Sequence, residues 1–198
     1  MTSIRLATAD DGPAVRSLYA PYVEDTPISF EYEPPSADEM ARRIESTTDT
    51  HPWLVCESAD RVVGYAYASQ FSGRTAYQWT VEASAYVDPR HQGRGVGRAL
   101  YETLLAILSE QGFVEAYAGI ALPNEQSVRF HESMGFVHHT TYPEVGYKLG
   151  AWHDVGWWRL PLRDRPDDPD APLSLEGARA EPWWEETIAA GEETLVGE

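Results

Sequence analysis

A single mixed α/β domain is the fold class this sequence predicts, and three observations predict it. Short runs that alternate polar and apolar residues, as half-buried strands do, are interleaved with stretches whose apolar residues recur at helical spacing. Turn residues punctuate the junctions between them. A chain of 198 residues, 42% hydrophobic and 12% aromatic, suffices for one good core and is short for two.

Residues 3–7 alternate as a strand should, and Thr8-Ala9-Asp10-Asp11 offers acidic caps for a helix carrying Val15, Leu18, Tyr19 and Tyr22. Segment 24–35 is a loop rich in proline and aromatics. Ser36-Ala37-Asp38-Glu39 reads as a capping box opening a second helix through Met40 and Ile44. Runs 53–58 and 61–70, separated by Ala59-Asp60, read as an antiparallel hairpin. A strand at 80–87 leads through Asp88-Pro89 and a glycine-bearing loop into a long helix with Leu100, Leu104, Ile107 and Leu108. A strand at 114–120 precedes a helix from Pro123-Asn124 to about Met134, with Gly135 as its C-cap. Strands near 136–149 and 153–160 close the order β-α-α-β-β-β-α-β-α-β-β, which requires at least one crossover.

The formal charge of −17 disfavours a nucleic-acid partner, since a polyanion is repelled by the field of the whole protein. The basic residues are arginines apart from Lys148. An acidic excess almost without lysine suggests a halophilic source, for which the expected sign is an unfolding temperature that rises in molar KCl. An arginine-biased genome with an ordinary acidic surface is the alternative. No apolar run suggests a membrane span, and the opening MTSIRLATADD lacks signal-peptide order, so a soluble, cytoplasmic protein is expected. The lone cysteine, Cys56, lies in the apolar run Trp53–Cys56, reads as a small buried strand residue, and offers no disulfide or zinc cluster; no metal is expected. From Arg163 the composition shifts. Residues 163–198 form an acidic extension in which Pro166, Pro169 and Pro172 mark a linker, and Trp183-Trp184 begins either a short helix docked by its indoles or a solvated tail.

The loop Gln92-Gly93-Arg94-Gly95-Val96-Gly97-Arg98 lies between a strand and a helix. A helix start exposes unpaired N–H groups and a partial positive charge, and glycines let an anionic ligand approach the backbone. Arg90, Arg94 and Arg98 add cations. A triphosphate-binding P-loop needs Gly-Lys-Ser/Thr, and no lysine is near. A dinucleotide fingerprint needs G-x-G-x-x-G, whereas these glycines fall at every second residue.

Gln92-x-x-Gly95-x-Gly97 resembles the Q/R-x-x-G-x-G/A signature with which GNAT acetyltransferases hold the pyrophosphate of acetyl-CoA. Pro123–Ser127 with His131 and Gly135-Phe136 resembles that superfamily's second acetyl-CoA-contacting segment. Phe30-Glu31, Tyr77–Ser84, Leu122-Pro123-Asn124 through His131-Glu132, and Gly146–Gly156, which contains Trp-His-Asp-Val-Gly, together resemble phosphinothricin N-acetyltransferases and the enzymes that acetylate methionine sulfone and methionine sulfoximine. The resemblance runs from about residue 3 to residue 162 and implies a domain at 1–162. Its fold would be a mostly antiparallel mixed sheet, splayed at the central strands, with helices on both faces.

The resemblance implies an N-acetyltransferase that uses acetyl-CoA on a small amino-acid-like amine by direct attack in a ternary complex, and a homodimer. It nominates Glu82 as general base, directly or through water; a strand carboxylate satisfied by a structural partner is the alternative. Backbone amides near Tyr86 and Val87 would polarise the acetyl carbonyl. Gln92, Gly93, Arg94, Gly95, Val96, Gly97 and Arg98 would hold the diphosphate, with Asn124 and Ser127 on the pantetheine. His131 would be the general acid or a structural histidine. Arg74 could pair with the acceptor's carboxylate or oxide oxygens, with Phe30, Tyr77 and Trp79 either walling the pocket or packing the core. A peptide N-terminus or an aminoglycoside as acceptor, or a non-catalytic acetyl-CoA-binding module, are the competing readings; a thiol-release screen across amines separates them.

Overall fold

The structure is a computed structural model and describes residues 2–196; the last two residues of the acidic extension lie outside the described residues. In chain order it runs β1 (Thr2–Leu6), α1 (Gly12–Glu24), α2 (Ala37–Thr48), β2 (Trp53–Ser58), β3 (Arg61–Gln70), β4 (Thr80–Val87), α3 (Val96–Gln111), β5 (Glu115–Leu122), α4 (Glu125–Ser133), β6 (Val137–Lys148), β7 (Ala151–Pro161), α5 (Leu175–Arg179) and α6 (Trp183–Val196). Through β7 this is the expected order.

The local signals act through identifiable groups. Ser36 Oγ accepts from Glu39 N at 3.1 Å and starts α2. The reciprocal half of the expected capping box is absent, because the Glu39 carboxylate is taken by Arg42 and Arg43. In the β2–β3 turn, Ala59 and Asp60 have φ of 49° and 58°, the two positive values that match a hairpin to the twist of its strands. Gly135, at φ 91°, ends α4 as expected, and Phe136 N beyond it bonds the His131 carbonyl at 3.0 Å.

The seven strands form one sheet in the order β1-β2-β3-β4-β5-β7-β6. All neighbours are antiparallel except β4 and β5, which pair in parallel only at Thr80↔Glu115, Val81↔Ala116 and Glu82↔Tyr117. From Ala83 onward β4 and β5 diverge, so the sheet forks with Glu82 at the apex. On one face α1 and α2 bury Val15, Val23, Met40 and Ile44 against Trp53, Val55 and Tyr65. On the other, α3 buries Leu100, Leu104, Ile107 and Leu108 against Val81, Ala83, Ala116 and Ala118. With both faces covered, Trp53–Cys56 are buried without alternation. The Cys56 thiol is fully buried and pushed up to about 11 by that burial.

The extension is docked. Trp184 is 5% exposed and, with Leu175 and Ala178, belongs to the core cluster around α3; burying an aromatic side chain of this kind contributes about 2–3 kcal/mol. Trp183 is half-buried beside it.

Candidate active site

The glycine loop meets the fork at the start of α3. Gly93 and Gly95 have φ of 70° and 74°, a region costly for residues with a Cβ. Gly95 is the N-cap of α3 and supplies no side-chain cap. Ala99 N is the first amide to bond back, to Gly95 O at 2.9 Å, so the N–H groups of Val96, Gly97 and Arg98 have no acceptor within the helix. Beside them lies a cleft of about 430 Å³, lined by Tyr86, Val87, Gln92, Gly93, Gly95, Gly97, Arg98, Asn124 and Ser127 from the sequence expectation. Tyr22, Ile28, Ala85, Gln126 and Phe130 also line it and were missed. Tyr22 and Phe130 carry only an amphipathic-helix pattern in the sequence, and nothing local distinguishes a cleft-facing ring from a core one.

Two loop residues depart from expectation. Val96 is 5% exposed, its side chain turned into the core beside Gly64, so only its backbone amide serves the loop. Arg94 is exposed and does not line the cleft. The expected cationic cluster is largely neutralised locally: Arg90 pairs with Asp88 at 2.6 Å, and Arg98, which does line the cleft, pairs with Glu102 at 3.0 Å. Backbone donors are therefore the main positive feature of the floor.

Gln92 ties the cleft walls together. Its Nε2 donates to Tyr22 Oη at 3.2 Å and Val87 O at 3.3 Å, while its Oε1 accepts from Gln126 Nε2 at 3.1 Å. Asn124 Oδ1 caps α4 by accepting from Ser127 N at 3.1 Å.

Alternation along β4 decides which amides face the fork. Asp88 N donates to Val63 O on the β3 side, and neighbouring residues of a strand point their N–H groups to opposite edges. Tyr86 therefore spends its N–H and C=O on Tyr65 of β3, its register partner. The N–H groups of Ala85 and Val87 point into the fork, where no strand lies opposite. The carbonyls agree: Val87 O accepts from Tyr22 Oη at 2.7 Å, and Ala83 O faces Tyr101 Oη at 3.2 Å. The expected pair near Tyr86 and Val87 is thus corrected to Ala85 and Val87, with Tyr86 contributing its ring to the wall.

Glu82 is the last residue of the parallel ladder, and burial pushes its carboxyl above its ordinary value. No salt bridge to Glu82 occurs among the described residues. Its side of the sheet is that of Ser69, Ser84, Tyr86 and Tyr117 by register.

His131 does not reach the cleft. It is 7% exposed, packed edge-on against Tyr101, Phe130 and Phe136. Nδ1 lies 2.8 Å from Ser127 O, an acceptor only, so that nitrogen carries the proton; Nε2 lies 3.0 Å from Tyr101 Oη. Burial holds the imidazole below its ordinary value, partly offset by the Ser127 bond. Both nitrogens are engaged and the ring is sealed from the cleft, so the general-acid expectation gives way to the structural alternative.

The acceptor-side expectations fare unevenly. Phe30 is partly exposed and lies against Gly146, where a Cβ would come within 2.2 Å of its ring, with His153 6.2 Å away. Arg74 is exposed and Tyr77 half-exposed against Phe71 at 6.0 Å; neither lines the cleft. Trp79 is turned away, its Nε1 donating to Asp170 O of the extension at 2.8 Å. The rings beside Glu82's face are instead Tyr117 and Phe71, 5.0 Å apart, with Trp157 at 6.2 Å from Phe71. Tyr117 comes from β5, Trp157 from β7 and Phe71 from the residue after β3, and only the tertiary fold brings them together.

A forked sheet opening onto an uncapped, glycine-rich helix start defines an acyl-donor site of the acetyltransferase class. The model of the Acetyltransferase (GNAT) domain matches residues 4–157. Phosphinothricin N-acetyltransferase of Streptomyces viridochromogenes is 44% identical over 170 residues, 84% of this chain and 93% of the relative. L-methionine sulfoximine/L-methionine sulfone acetyltransferase of Salmonella typhimurium is 34% identical over 170 residues, 85% of this chain and 99% of the relative. The crystal structure of a GNAT superfamily phosphinothricin acetyltransferase (Pat) from Sinorhizobium meliloti, in complex with AcCoA, superposes with a TM-score of 0.80 at 30% identity, covering 88% of this chain and 98% of that one. The chain belongs to the GNAT acetyltransferases, in the family of these phosphinothricin and methionine sulfoximine N-acetyltransferases. Among the described residues, no helix is long and apolar enough to cross a membrane.

Proposed function

We propose that this enzyme transfers the acetyl group of acetyl-CoA to the amino group of a small amino-acid-like acceptor of the phosphinothricin, methionine sulfone or methionine sulfoximine type, by direct attack within a ternary complex. The observation that carries the reading is Glu82: a half-buried carboxylate, without a cation partner among the described residues, at the apex of a fork whose open end leads to the helix start. Acetyl-CoA supplies an activated thioester. The uncapped amides of α3 and the side chain of Gln92 would hold its diphosphate, and the amides of Ala85 and Val87 would face its carbonyl oxygen. The Glu82 carboxylate would take a proton from the acceptor's ammonium, directly or through water; the freed amine would then attack the thioester carbonyl, and the C–S bond would break to release coenzyme A as its thiolate.

Direct transfer is favoured because the sole cysteine is unsuited to carry an acetyl group: Cys56 is fully buried and its thiol is held protonated. The test is thiol release with methionine sulfone, methionine sulfoximine and phosphinothricin, in dilute buffer and in molar KCl. Turnover with at least one is expected, with intersecting initial-rate patterns; turnover only with peptides or aminoglycosides would sink the acceptor class. Unfolding temperatures in the same two buffers should rise with salt, and equal values would end the halophile reading.

The homodimer belongs to this proposal. Strand β6 is an outer edge of the sheet and exposes Tyr142, Val145 and Tyr147 at 53%, 55% and 48%, an apolar row suited to a second copy. A solution mass of one chain, 22.2 kDa, would exclude it.

A further inference from the structure

On its β3 side β4 is paired from Val81 to Val87, but on its β5 side Glu82 is held by a ladder of only three residue pairs, and further bonds tie down the closed end of that ladder. There, Trp79 O accepts from Val114 N at 2.8 Å, and Val114 O accepts from Leu162 N at 2.9 Å. Two further bonds come from the extension: Trp79 Nε1 to Asp170 O at 2.8 Å, and Arg165 to Glu115. Glu115 is 2% exposed, and among the described residues its other cation is the Arg159 guanidinium, 3.7 Å away. The extension is itself anchored: Leu173 N bonds Gln111 O at 2.8 Å, and Glu192 Oε1 accepts from Ile4 N at 2.9 Å. At Gly191, α6 lies so close to α3 that a Cβ would come within 1.9 Å of Thr103 Oγ1.

We infer that Trp79 and Glu115 are positioning residues for Glu82, and that the C-terminal extension is the element through which they act. Glu115 is half of the first rung of the ladder, Thr80↔Glu115, and Trp79 immediately precedes its other half; each is tied to the extension by a side chain. A ladder this short opens locally unless its end is anchored. A general base must stay within hydrogen-bond reach of the proton it takes, so a displacement of about 1 Å is costly. The inference rests on Glu82 acting as base, and it gives the extension, which lies beyond the GNAT match at 4–157, a part in the chemistry.

The test uses the full chain with Trp79→Phe, which keeps a ring and removes the donor, and Arg165→Met, which strips Glu115 of its nearer cation. Both should speed amide exchange at Val81 and Tyr117, whose N–H groups lie between β4 and β5, lower kcat by about tenfold, shift the acid limb of the pH profile, and leave the KM for acetyl-CoA within about twofold. Adding Glu115→Gln to Arg165→Met removes the uncompensated charge but leaves the tie to the extension broken, so exchange should stay fast; slow exchange restored by it would overturn the inference. In a Glu82→Gln background Trp79→Phe should cost nothing more, since coupled residues are not additive. Unchanged exchange at Val81 and Tyr117, or the same tenfold loss in the Glu82→Gln background, would overturn the inference. An active Glu82→Gln enzyme would instead overturn Glu82 as base, an outcome the single variant reports independently of the exchange data.

Discussion

Glu82→Gln lowers kcat by about a hundredfold or more, the usual weight of a general base, while the affinity for acetyl-CoA stays near that of the parent. The amide keeps the size of the carboxylate at the fork apex but accepts no proton. In the parent, kcat/KM should rise with pH through a limb above the ordinary carboxylate range, because burial raises the Glu82 carboxyl and only its ionised form can act. That limb should vanish in the variant. Stability should move the other way. The folded protein binds the Glu82 proton more tightly than the unfolded chain, so ionising Glu82 costs stability as pH rises through the interval between the unfolded and the raised folded pKa. Above that interval Glu82→Gln should unfold at a higher temperature than the parent, and below it the difference should fade. Activity within a few-fold of the parent would remove Glu82 from the mechanism.

Gly95→Val raises the KM for acetyl-CoA by about tenfold or more and changes kcat at saturation far less. The position has φ 74° as the N-cap of α3, and the left-handed conformation costs a residue with a Cβ about 1–2 kcal/mol, on the scale of a tenfold change in binding. Relieving that strain turns the amides of Val96, Gly97 and Arg98 away from the cleft. Gly97→Val is the milder companion: a Cβ there meets Val87 Cγ2 at 3.5 Å and Phe130 Cε2 at 3.6 Å, ordinary contacts, and only the added methyls intrude on the cleft. Calorimetry with coenzyme A gives the comparison directly. An unchanged dissociation constant for folded Gly95→Val would refute the loop's part in binding.

Much of the architecture could be read residue by residue because its causes are local. The β-rich runs 53–58 and 61–70 about the turn Ala59-Asp60, helical spacing from Leu100 to Leu108, Ser36 before Glu39 and Gly135 after α4 each act within a few positions. The glycine loop is legible for the same reason: spacing alone sets the backbone it permits, and Gly93 and Gly95 do occupy the left-handed region. His131 was ambiguous, because a helix position does not say which face a ring takes. Its burial follows from Tyr101 and Phe136, which other elements bring to it.

By itself the sequence determined the order of elements through β7, the glycine-rich helix start with its free amides, and the strand that carries Glu82. Tertiary structure alone decided that β4 and β5 part after Glu82, that Ala85 and Val87 rather than Tyr86 aim their amides into the gap, and that Trp79 serves the extension instead of the cleft. The physical reason is that strand register and the meeting of distant surfaces are set by which faces can be buried together, a property of the whole chain that no short stretch of it contains.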